Sequence, residues 1–370
     1  SLDAAARKHG VHAMEPLFGD LVNGLKSASS RADLERVYAI DFDATRTSLD
    51  AIIADYERAE LVERVYTVDI CKTYGTAYFP NDLSNQYYLR NSSLGGADVR
   101  ALGGWAESLG DSTVIIAVAD SGIDWNHPDL GGPHPDKVNG AVWTNWTEYY
   151  GTEGVDDDAN GKIDDIRGWD FVDLNSTNGT VQTPPQDVQD EDNDPSDYES
   201  HGTNCAGTVA PLTDNGIGIA GTAPGCKIMA LRCGWLSIDN EGNPQGVVRM
   251  DFASQAMLYA AANGATIFNA SWGSSSFLSF GVSTMLEAGM LVFSAAGNDN
   301  NSEASYLCGY PDGTGSERRV LAVAATNSDD GRADFSNFGS WVEICAPGVG
   351  IYTTAYSRNT GESTYASVQG

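Results

Sequence analysis

The sequence contains few positively charged residues. Its 370 residues include 21 Lys and Arg against 51 Asp and Glu, which gives a formal net charge of −30. Because binding to a phosphate backbone requires clusters of Lys and Arg, this composition excludes nucleic acid as a partner. Cations are the expected counterparts of such an acidic chain.

Long apolar runs are also missing, and so is a regular cysteine pattern. No stretch approaches the roughly 20 apolar residues of a membrane-spanning helix, so we expect no membrane partner. The first ten residues, SLDAAARKHG, have no apolar signal core, and any export signal is expected outside this sequence. The six cysteines show no CxxC spacing, which argues against a zinc site and leaves open which of them form disulfides.

Residues 1–79 have a pattern of their own. The runs LERVYAIDF and LVERVYTVDI are rich in β-branched and aromatic residues, as strands are. They flank SLDAIIADYERAE, whose apolar spacing predicts an amphipathic helix. The region is therefore predicted to be a small α+β domain, and the breakers in YFPNDLSNQYY mark a linker after it.

From Thr113 onward, short apolar runs alternate with helical segments. TVIIAVAD, KIMALRC, ATIFNAS, MLVFSAAGN and RVLAVAAT are typical of strands buried on both faces of a parallel sheet. VVRMDFASQAMLYAAANG and FGVSTMLEAG have helical periodicity, and each ends in a glycine at the C-cap. Residues 80–370 are therefore predicted to form a doubly wound α/β domain, with ligands beyond the carboxyl ends of the strands.

An acidic insertion at about residues 153–199 interrupts this alternation. It holds 15 Asp and Glu and only two basic residues, Lys162 and Arg167. Such a density of like charge requires full solvation or bound cations.

Within the insertion, DDDANGKIDD places oxygen ligands at alternate positions before a glycine turn, as in the first half of an EF-hand loop. Because the twelfth loop position is Arg167 instead of Glu, a true EF-hand is excluded. A solvated acidic loop without an ion is the alternative. The candidate ligands of one Ca²⁺ are Asp156, Asp158, Asn160, the carbonyl of Lys162, and Asp164 or Asp165.

Three polar residues stand where an α/β domain places its chemistry. Asp120 ends a predicted strand, His201 opens the small-residue segment HGTNCAGTVA, and Asn298 follows a strand in SAAGN. Taken singly, they are typical of a helix cap, a structural histidine and a turn. Together, in this order and in these settings, they mark a candidate functional site at the carboxyl edge of the predicted sheet.

The combination resembles the subtilisin family of serine proteases, and its thermitase-like members in particular. VADSGIDWNHPDL resembles the family's aspartate segment, HGTNCAGTVA its histidine segment, NASWGS its substrate-binding strand and SAAGN its oxyanion segment. DFSNFGSWVEICAPGVGIYTT resembles the stretch that leads to the nucleophile. The resemblance begins at about Pro80 and implies a subtilisin-like fold and hydrolysis of peptide bonds.

The resemblance assigns roles to the three polar residues. Asp120 would orient His201, His201 would be the general base, and Asn298 would donate to the oxyanion. The family continues YAS plus two residues as Gly-Thr-Ser, so Gly370 matches that glycine and the nucleophilic serine is expected two residues beyond it. We therefore expect the 370-residue chain alone to be inactive. A continuation that begins Thr-Ser, or that carries a replaced or modified Ser, is expected to complete the domain, either as a second polypeptide or as a further segment of the same chain. The family's second histidine in this motif is Asn204 here, which leaves the triad unaffected.

Substrate binding follows from the same resemblance. SWG would form an edge to which an extended peptide adds as a strand, and an ordinary buried strand end is the alternative. A glycine at the floor of the main specificity pocket would leave room for a large side chain. The implied substrate-binding residues are Ser271, Trp272, Gly273, Ala296, Gly297 and, at the pocket floor, Gly309.

A second Ca²⁺ is implied by the thermitase-like members. In them, an aspartate near the start of the domain, the aspartate of the HPDL segment and the loop after the histidine helix share one ion. The matching residues here are Asp82, Asp129, Leu212, Asn215, Ile217 and Ile219.

The resemblance also implies that residues 1–79 are a propeptide that acts as folding template and intramolecular inhibitor. An unrelated accessory domain is the alternative. The predicted protein is a secreted, calcium-dependent endopeptidase in its proenzyme form, acting on proteins or peptides. A pseudoprotease that only binds peptides is the competing hypothesis, and the residue at the serine position would distinguish the two. An acid-acting sedolisin relative would require Glu in place of His201.

Overall fold

The computed structural model describes most of the chain, and the described residues are 2–16, 36–42, 47, 49–59, 62, 65, 78–83, 85–92, 97–174, 185–274, 279–312 and 318–370. The chain divides into two compact units, Ser1–Thr73 and Tyr74–Gly370. No helix among these residues is long and apolar enough to cross a membrane. The five cysteines they include are all free thiols.

In the N-terminal unit, the described residues form two helices and a pair of antiparallel strands. Its elements are α1 (Leu2–His9), β1 (Val11–Pro16), β2 (Tyr38–Phe42) and α2 (Leu49–Glu57). Its buried core is formed by Ala5, Ile52 and Tyr56, with aliphatic and aromatic residues of both strands packed against them. Most of LVERVYTVDI lies outside the described residues, so the strand predicted there stays a prediction.

The larger unit is built on a parallel sheet. Its first elements are α3 (Ala101–Glu107), β3 (Ile115–Asp120), α4 (Pro128–Gly131), α5 (Trp146–Tyr149), β4 (Gly168–Asp170), α6 (His201–Val209), β5 (Lys227–Arg232), β6 (Gly234–Ile238) and β7 (Pro244–Val248). They are followed by α7 (Met250–Ala262), β8 (Ile267–Ala270), α8 (Ser279–Glu287), β9 (Leu291–Ala295), β10 (Val320–Thr326), β11 (Ile344–Pro347), β12 (Ile351–Ser357) and β13 (Glu362–Val368).

Seven strands form the central sheet in the order β11-β10-β9-β8-β3-β5-β4, and every neighbouring pair is parallel. Helices α7 and α8 pack on one face, around Phe252, Met257 and Met285. Helix α6 packs on the other face through Ala206 and Ala210, against a cluster that includes Val118. The predicted α/β, doubly wound parallel fold is therefore confirmed.

The strands and helices predicted from apolar runs are all present in this unit. The glycines predicted at helix ends, Gly264 and Gly289, have φ of 79° and 84°, in the left-handed region that glycine adopts without strain. The structure adds elements that the runs did not indicate. They are the antiparallel hairpins β6–β7 and β12–β13, the edge strand β11, and β4, which the acidic insertion contributes to the other edge of the sheet.

Candidate active site

Asp120 is the last residue of β3, in the middle of the parallel sheet. The strand lies between β5 and β8, so the carboxylate emerges at the carboxyl edge with neighbours on both sides. Asp120 is buried, with an exposed fraction of 2%. Its Oδ1 accepts a hydrogen bond from the backbone N–H of Ser121 at 2.7 Å, which fixes the orientation of the carboxylate.

His201 is the first residue of α6, and its imidazole meets Asp120. Nδ1 of His201 lies 2.8 Å from Oδ1 of Asp120, while about half of the histidine side chain remains exposed. The Asp120 carboxylate raises the pKa of His201 above its ordinary value, and the Cys205 side chain acts in the same direction. Sγ of Cys205 lies 4.0 Å from both Asp120 Oδ2 and His201 Nδ1.

A glycine allows this contact between strand and helix. A Cβ on Gly202 would lie 2.0 Å from the carbonyl oxygen of Gly122 and 3.0 Å from Cβ of Asp120. Any side chain at position 202 would therefore push the start of α6 away from the end of β3. The small residues noted in HGTNCAGTVA thus serve to place His201 against Asp120.

Asn298 lies beyond the end of β9, exposed to solvent. Its Nδ2 is 3.5 Å from the position that a Cβ on Gly370 would occupy, so the residues of SAAGN and the last described residue are neighbours. Ala296 is buried, and Gly297 has φ of 106°. A Cβ on Gly297 would lie 2.5 Å from the amide of Asn337, so only glycine fits this turn.

The segment SWG follows β8 at the same edge of the sheet. The indole N–H of Trp272 donates to the carbonyl of Ala119 at 2.7 Å, which ties the segment to the strand that carries Asp120. The side-chain amide of Asn269 donates to the hydroxyl of Ser271. A Cβ on Gly273 would be in contact with Ser305, so this stretch borders the loop that follows Asn298.

Gly309 lines a surface cleft of about 390 Å³. Among the residues that the structure describes, none would overlap a Cβ there, since the nearest would be 3.5 to 3.6 Å away. The cleft is formed by Ala304, Ser305, Tyr306, Gly309, Tyr310 and Pro311.

Two buried carboxylates lie close to the loop after α6. Asp129 is fully buried, and its oxygens accept bonds from the amide of Asn215 and the N–H of Ile219. Asp82 accepts a bond from the N–H of Asn215 at 3.2 Å, while its Oδ1 is buried with no hydrogen-bond partner. Leu212 donates its N–H to the carbonyl of Asp129.

This donor set fits Ca²⁺, which prefers carboxylate and carbonyl oxygens. An unpartnered buried carboxylate oxygen costs free energy unless a cation compensates for it. Ile217, the remaining predicted ligand, lies in the same loop, and its N–H donates to Oδ1 of Asn215.

The acidic loop brings together a second group of carboxylates. Asp156 and Asp158 each accept the backbone N–H of Asn160, and both lie near Glu148 of α5. One ligand oxygen from each of Glu148, Asp156 and Asp158 falls within 4.8 Å of the others. Glu148 is buried and holds the loop through the N–H groups of residues 157, 158 and 164. The sequence prediction missed Glu148, because it lies outside the loop motif.

The other predicted ligands of this loop have different surroundings. Asp165 is fully buried and accepts bonds from Tyr259 and Asn160, and burial raises its pKa to about 6. Oδ2 of Asp164 accepts the N–H of Gly154. The ammonium group of Lys162 points away, to Glu191, which is compatible with a role for its carbonyl alone.

The chain is similar to known proteins in both sequence and structure. The model of the subtilase family matches residues 111–370. Thermitase of Thermoactinomyces vulgaris is 32% identical over 296 residues, which are 79% of this chain and 80% of that protein. An extracellular protease of Xanthomonas campestris pv. campestris is 29% identical over 382 residues, which cover 100% of this chain and only 58% of that relative.

A solved protease structure from Pseudoalteromonas arctica shares the fold, with a TM-score of 0.56 at 23% identity, over 79% of this chain and 82% of that chain. The family match covers well over half of the sequence and includes both members of the Asp120–His201 pair. The chain therefore belongs to the subtilase family and is a subtilisin-like serine protease.

Proposed function

We propose that this protein is a secreted, calcium-dependent subtilisin-like endopeptidase, described here in its proenzyme form. The observation that carries the proposal is the 2.8 Å contact between Asp120 Oδ1 and His201 Nδ1 at the carboxyl edge of a parallel sheet. Secretion is supported by the printed name of the Xanthomonas relative, an extracellular protease, and cell fractionation with an antibody against residues 185–274 tests it.

The proposed reaction follows from this pair. Asp120 accepts a hydrogen bond from Nδ1–H of His201, which leaves Nε2 free to take the proton of a serine hydroxyl. The serine oxygen attacks the peptide carbonyl, the buried Asp120 carboxylate stabilises the resulting imidazolium, and Nε2 gives its proton to the leaving amine as the C–N bond breaks. A water molecule, deprotonated in turn by Nε2, then attacks the acyl-enzyme, and the serine recovers its proton as the acid product leaves. The serine is expected to follow Gly370, and the amide of Asn298 is proposed to donate to the oxyanion.

Substrate binding is proposed to use the region beside this pair. An extended peptide would add to the edge formed by residues 271–273. The substrate side chain on the amino-terminal side of the scissile bond would enter the cleft lined by Gly309. The cleft volume of about 390 Å³ supports a preference for large side chains, and cleavage of a peptide library tests it.

The pH profile of cleavage should reflect the raised pKa of His201. The base must be neutral, so kcat/KM should increase with pH on the acid side, with its midpoint above roughly 6.5, the ordinary histidine value. Stability should respond in the opposite direction. Protonated His201 stabilises the fold fully below the unfolded-state pKa, and this contribution is lost as pH rises through the folded-state pKa. Measuring kcat/KM from pH 5 to 10 checks the first expectation, and a midpoint below the ordinary histidine value would contradict it.

Calcium is proposed to bind at two places, the Asp82–Asp129 pair and the Glu148–Asp156–Asp158 group. Bound ions would compensate for the buried carboxylates and hold the acidic loop. At a hundredfold excess over Kd, each site should add about 2.7 kcal/mol to the free energy of unfolding.

Excess chelator should therefore lower the Tm, as measured by calorimetry. Asp129→Asn should reduce the part of the shift that calcium restores, whereas Glu287→Gln, an exposed control at the end of α8, should leave it unchanged. An unchanged Tm in chelator would rule out both sites as stabilisers.

One face of the sheet supports the proposal that further polypeptide completes the domain. By register, Ile267, Leu291 and Ile344 share the face on which α6 packs. Leu291 is 38% exposed and Ile344 48% exposed, although both belong to strands of the central sheet. We propose that a continuation carrying the serine covers this face. A native sample in which mass spectrometry finds only this chain, with no further segment or second polypeptide, would contradict it.

Residues 1–79 are proposed to be the propeptide. The division of the chain near this position and the full-length match to the Xanthomonas relative support a separate unit here. Cleavage between the two units by the active enzyme is the expected outcome.

A further inference from the structure

A buried carboxylate that the proposed reaction does not use lies four residues before His201. Asp197 has an exposed fraction of 2%, and both of its oxygens are fully engaged. Oδ1 accepts the N–H groups of Glu199 and Ser200, at 2.8 and 2.9 Å, and the hydroxyl of Ser121 at 3.0 Å. Oδ2 accepts the N–H and the hydroxyl of Thr203, at 3.0 and 2.6 Å.

These donors come from both sides of the Asp120–His201 pair. Ser121 directly follows Asp120, while Ser200 directly precedes His201 and Thr203 lies in the first turn of α6. A network centred on one carboxylate therefore spans the two segments whose relative position sets the 2.8 Å contact.

Two of the hydroxyl groups extend the network. Oγ of Ser121 also accepts the N–H of Gly202 at 2.9 Å, so Ser121 connects the end of β3 to the helix directly. Oγ1 of Thr203 accepts the N–H of Asp124 at 2.9 Å, which connects the helix to the loop that follows β3. Each hydroxyl thus donates to Asp197 and accepts from the opposite segment. Removing Asp197 would leave both without their acceptor.

The backbone before His201 also requires support. Ser200 has φ of 94°, in the left-handed region that residues with a side chain rarely adopt. Such a conformation persists only where the surroundings hold it. Asp197 accepts the N–H of Ser200, and Oγ of Ser200 accepts the N–H of Tyr356. The direction in which α6 begins, and with it the position of the imidazole, depends on this strained residue.

We propose that Asp197 is a positioning residue, which holds Asp120 and His201 in hydrogen-bond contact through the hydroxyls of Ser121 and Thr203. The proposal rests on the proposed function, because it concerns the geometry of the same pair. Asp197 itself acts through its neighbours, since its oxygens are filled by the five donors named above.

Asp197→Asn in the complete protein tests this, since it keeps the size of the side chain and turns one acceptor oxygen into a donor. The new NH₂ group faces N–H and O–H donors, so the network must rearrange. We expect kcat to fall about 10- to 100-fold, as misplacement of a reacting group does, with KM little changed. In NMR titration, the pKa of His201 should move down toward its ordinary value as contact with Asp120 weakens.

A merely structural role would lower the Tm and leave the His201 titration and the kcat of the folded fraction unchanged, and that result would overturn the proposal. The other titratable groups that interact with His201, namely Asp120, Cys205 and Glu199, are kept in all variants, and so is Arg358, which interacts with Glu199.

Thr203 offers a matched pair of variants. Thr203→Val removes the hydroxyl at nearly constant volume and should shift kcat and the His201 titration as Asp197→Asn does. Thr203→Ser keeps the hydroxyl and should retain the parent values. Equal behaviour of the two would contradict the proposal. Asp194→Asn, in the same segment but bound to Trp125 and Ser196, is the control for a general loss of charge.

The titration does not require proteolysis, which separates the two hypotheses. If the parent protein cleaves no peptide, the proposed function fails, and the response of His201 to Asp197→Asn still decides whether the network positions the imidazole. If the parent cleaves peptides and neither readout responds to Asp197→Asn, only the positioning proposal fails.

Discussion

Replacing His201 with alanine should lower the kcat of the complete protein by about 10⁶-fold, the loss found in subtilisin when its base is removed. The reason is chemical, because the imidazole is the proposed acceptor of the serine proton. The imidazole is half exposed, and Asp120 keeps its bond from the N–H of Ser121, so little packing is lost. The Tm should therefore fall only by what the Asp120–His201 contact contributes, and least at a pH where His201 of the parent is neutral. Hydrolysis of an unfolded protein substrate, followed with calorimetry on the same sample, measures both.

His134→Ala is the matched control, since this histidine is exposed and its ring pairs with Asp136 instead of Asp120. It should leave kcat unchanged. The His201→Ala protein should also keep residues 1–79 attached, because an inactive enzyme cannot cleave the connection, and intact mass reports this directly. Undiminished cleavage by His201→Ala would refute the assignment of the base. A parent protein that binds peptides but never cleaves them would favour the pseudoprotease hypothesis.

The parallel sheet could be predicted because its strands are buried on both faces. A run such as VIIAVAD has no polar residue until Asp120, and that abrupt end also marks the functional edge. The hairpins β6–β7 and β12–β13 could not be predicted in the same way. They lie outside the central sheet, and their second strands, β7 and β13, mix exposed polar and partly buried residues without a continuous apolar run.

The residues of the site also differ in how far the sequence could identify them. Asp120, His201 and Asn298 each belong to a short motif that can be read from the sequence. Glu148 and Asp197 carry no such motif, because their roles depend on residues that the fold brings close. Glu148 reaches the acidic loop from α5, and Asp197 joins two segments that are about 80 positions apart. Neither the periodicity nor the spacing of residues in the sequence predicts such hydrogen-bond partners.

A buried ion pair lies beside the active site, and breaking it should lower the free energy of unfolding strongly. Arg232 and Asp170 are both fully buried, and one guanidinium nitrogen of Arg232 donates to Asp170 Oδ2. A second nitrogen donates to the carbonyl of Asp187, and the guanidinium lies over the ring of Tyr198 at 4.9 Å. In the sheet, Arg232 is the in-register neighbour of Asp120. The ion pair therefore supports the carboxyl edge of the sheet at which Asp120 meets His201.

Asp170→Asn should lower the free energy of unfolding by about 3 to 5 kcal/mol, because it leaves the Arg232 charge buried without its counterion. Asparagine still has an oxygen to accept the N–H of Val172, so the loss isolates the charge. Urea unfolding measures the effect, with an unchanged m-value showing that only stability has changed. Asp251→Asn, which breaks the exposed pair with Arg249, is the control and should cost at most about 1 kcal/mol.

The double variant Asp170→Asn with Arg232→Met shows where this free energy resides. Transfer of both ions from water costs nearly as much as their attraction returns, so replacing the pair by neutral groups of similar volume should recover most of the stability lost in Asp170→Asn. If the double variant is as unstable as the single one, the packing of Arg232 against Tyr198, and not its charge, holds this strand end. If Asp170→Asn costs no more than Asp251→Asn, the buried pair does not stabilise the fold.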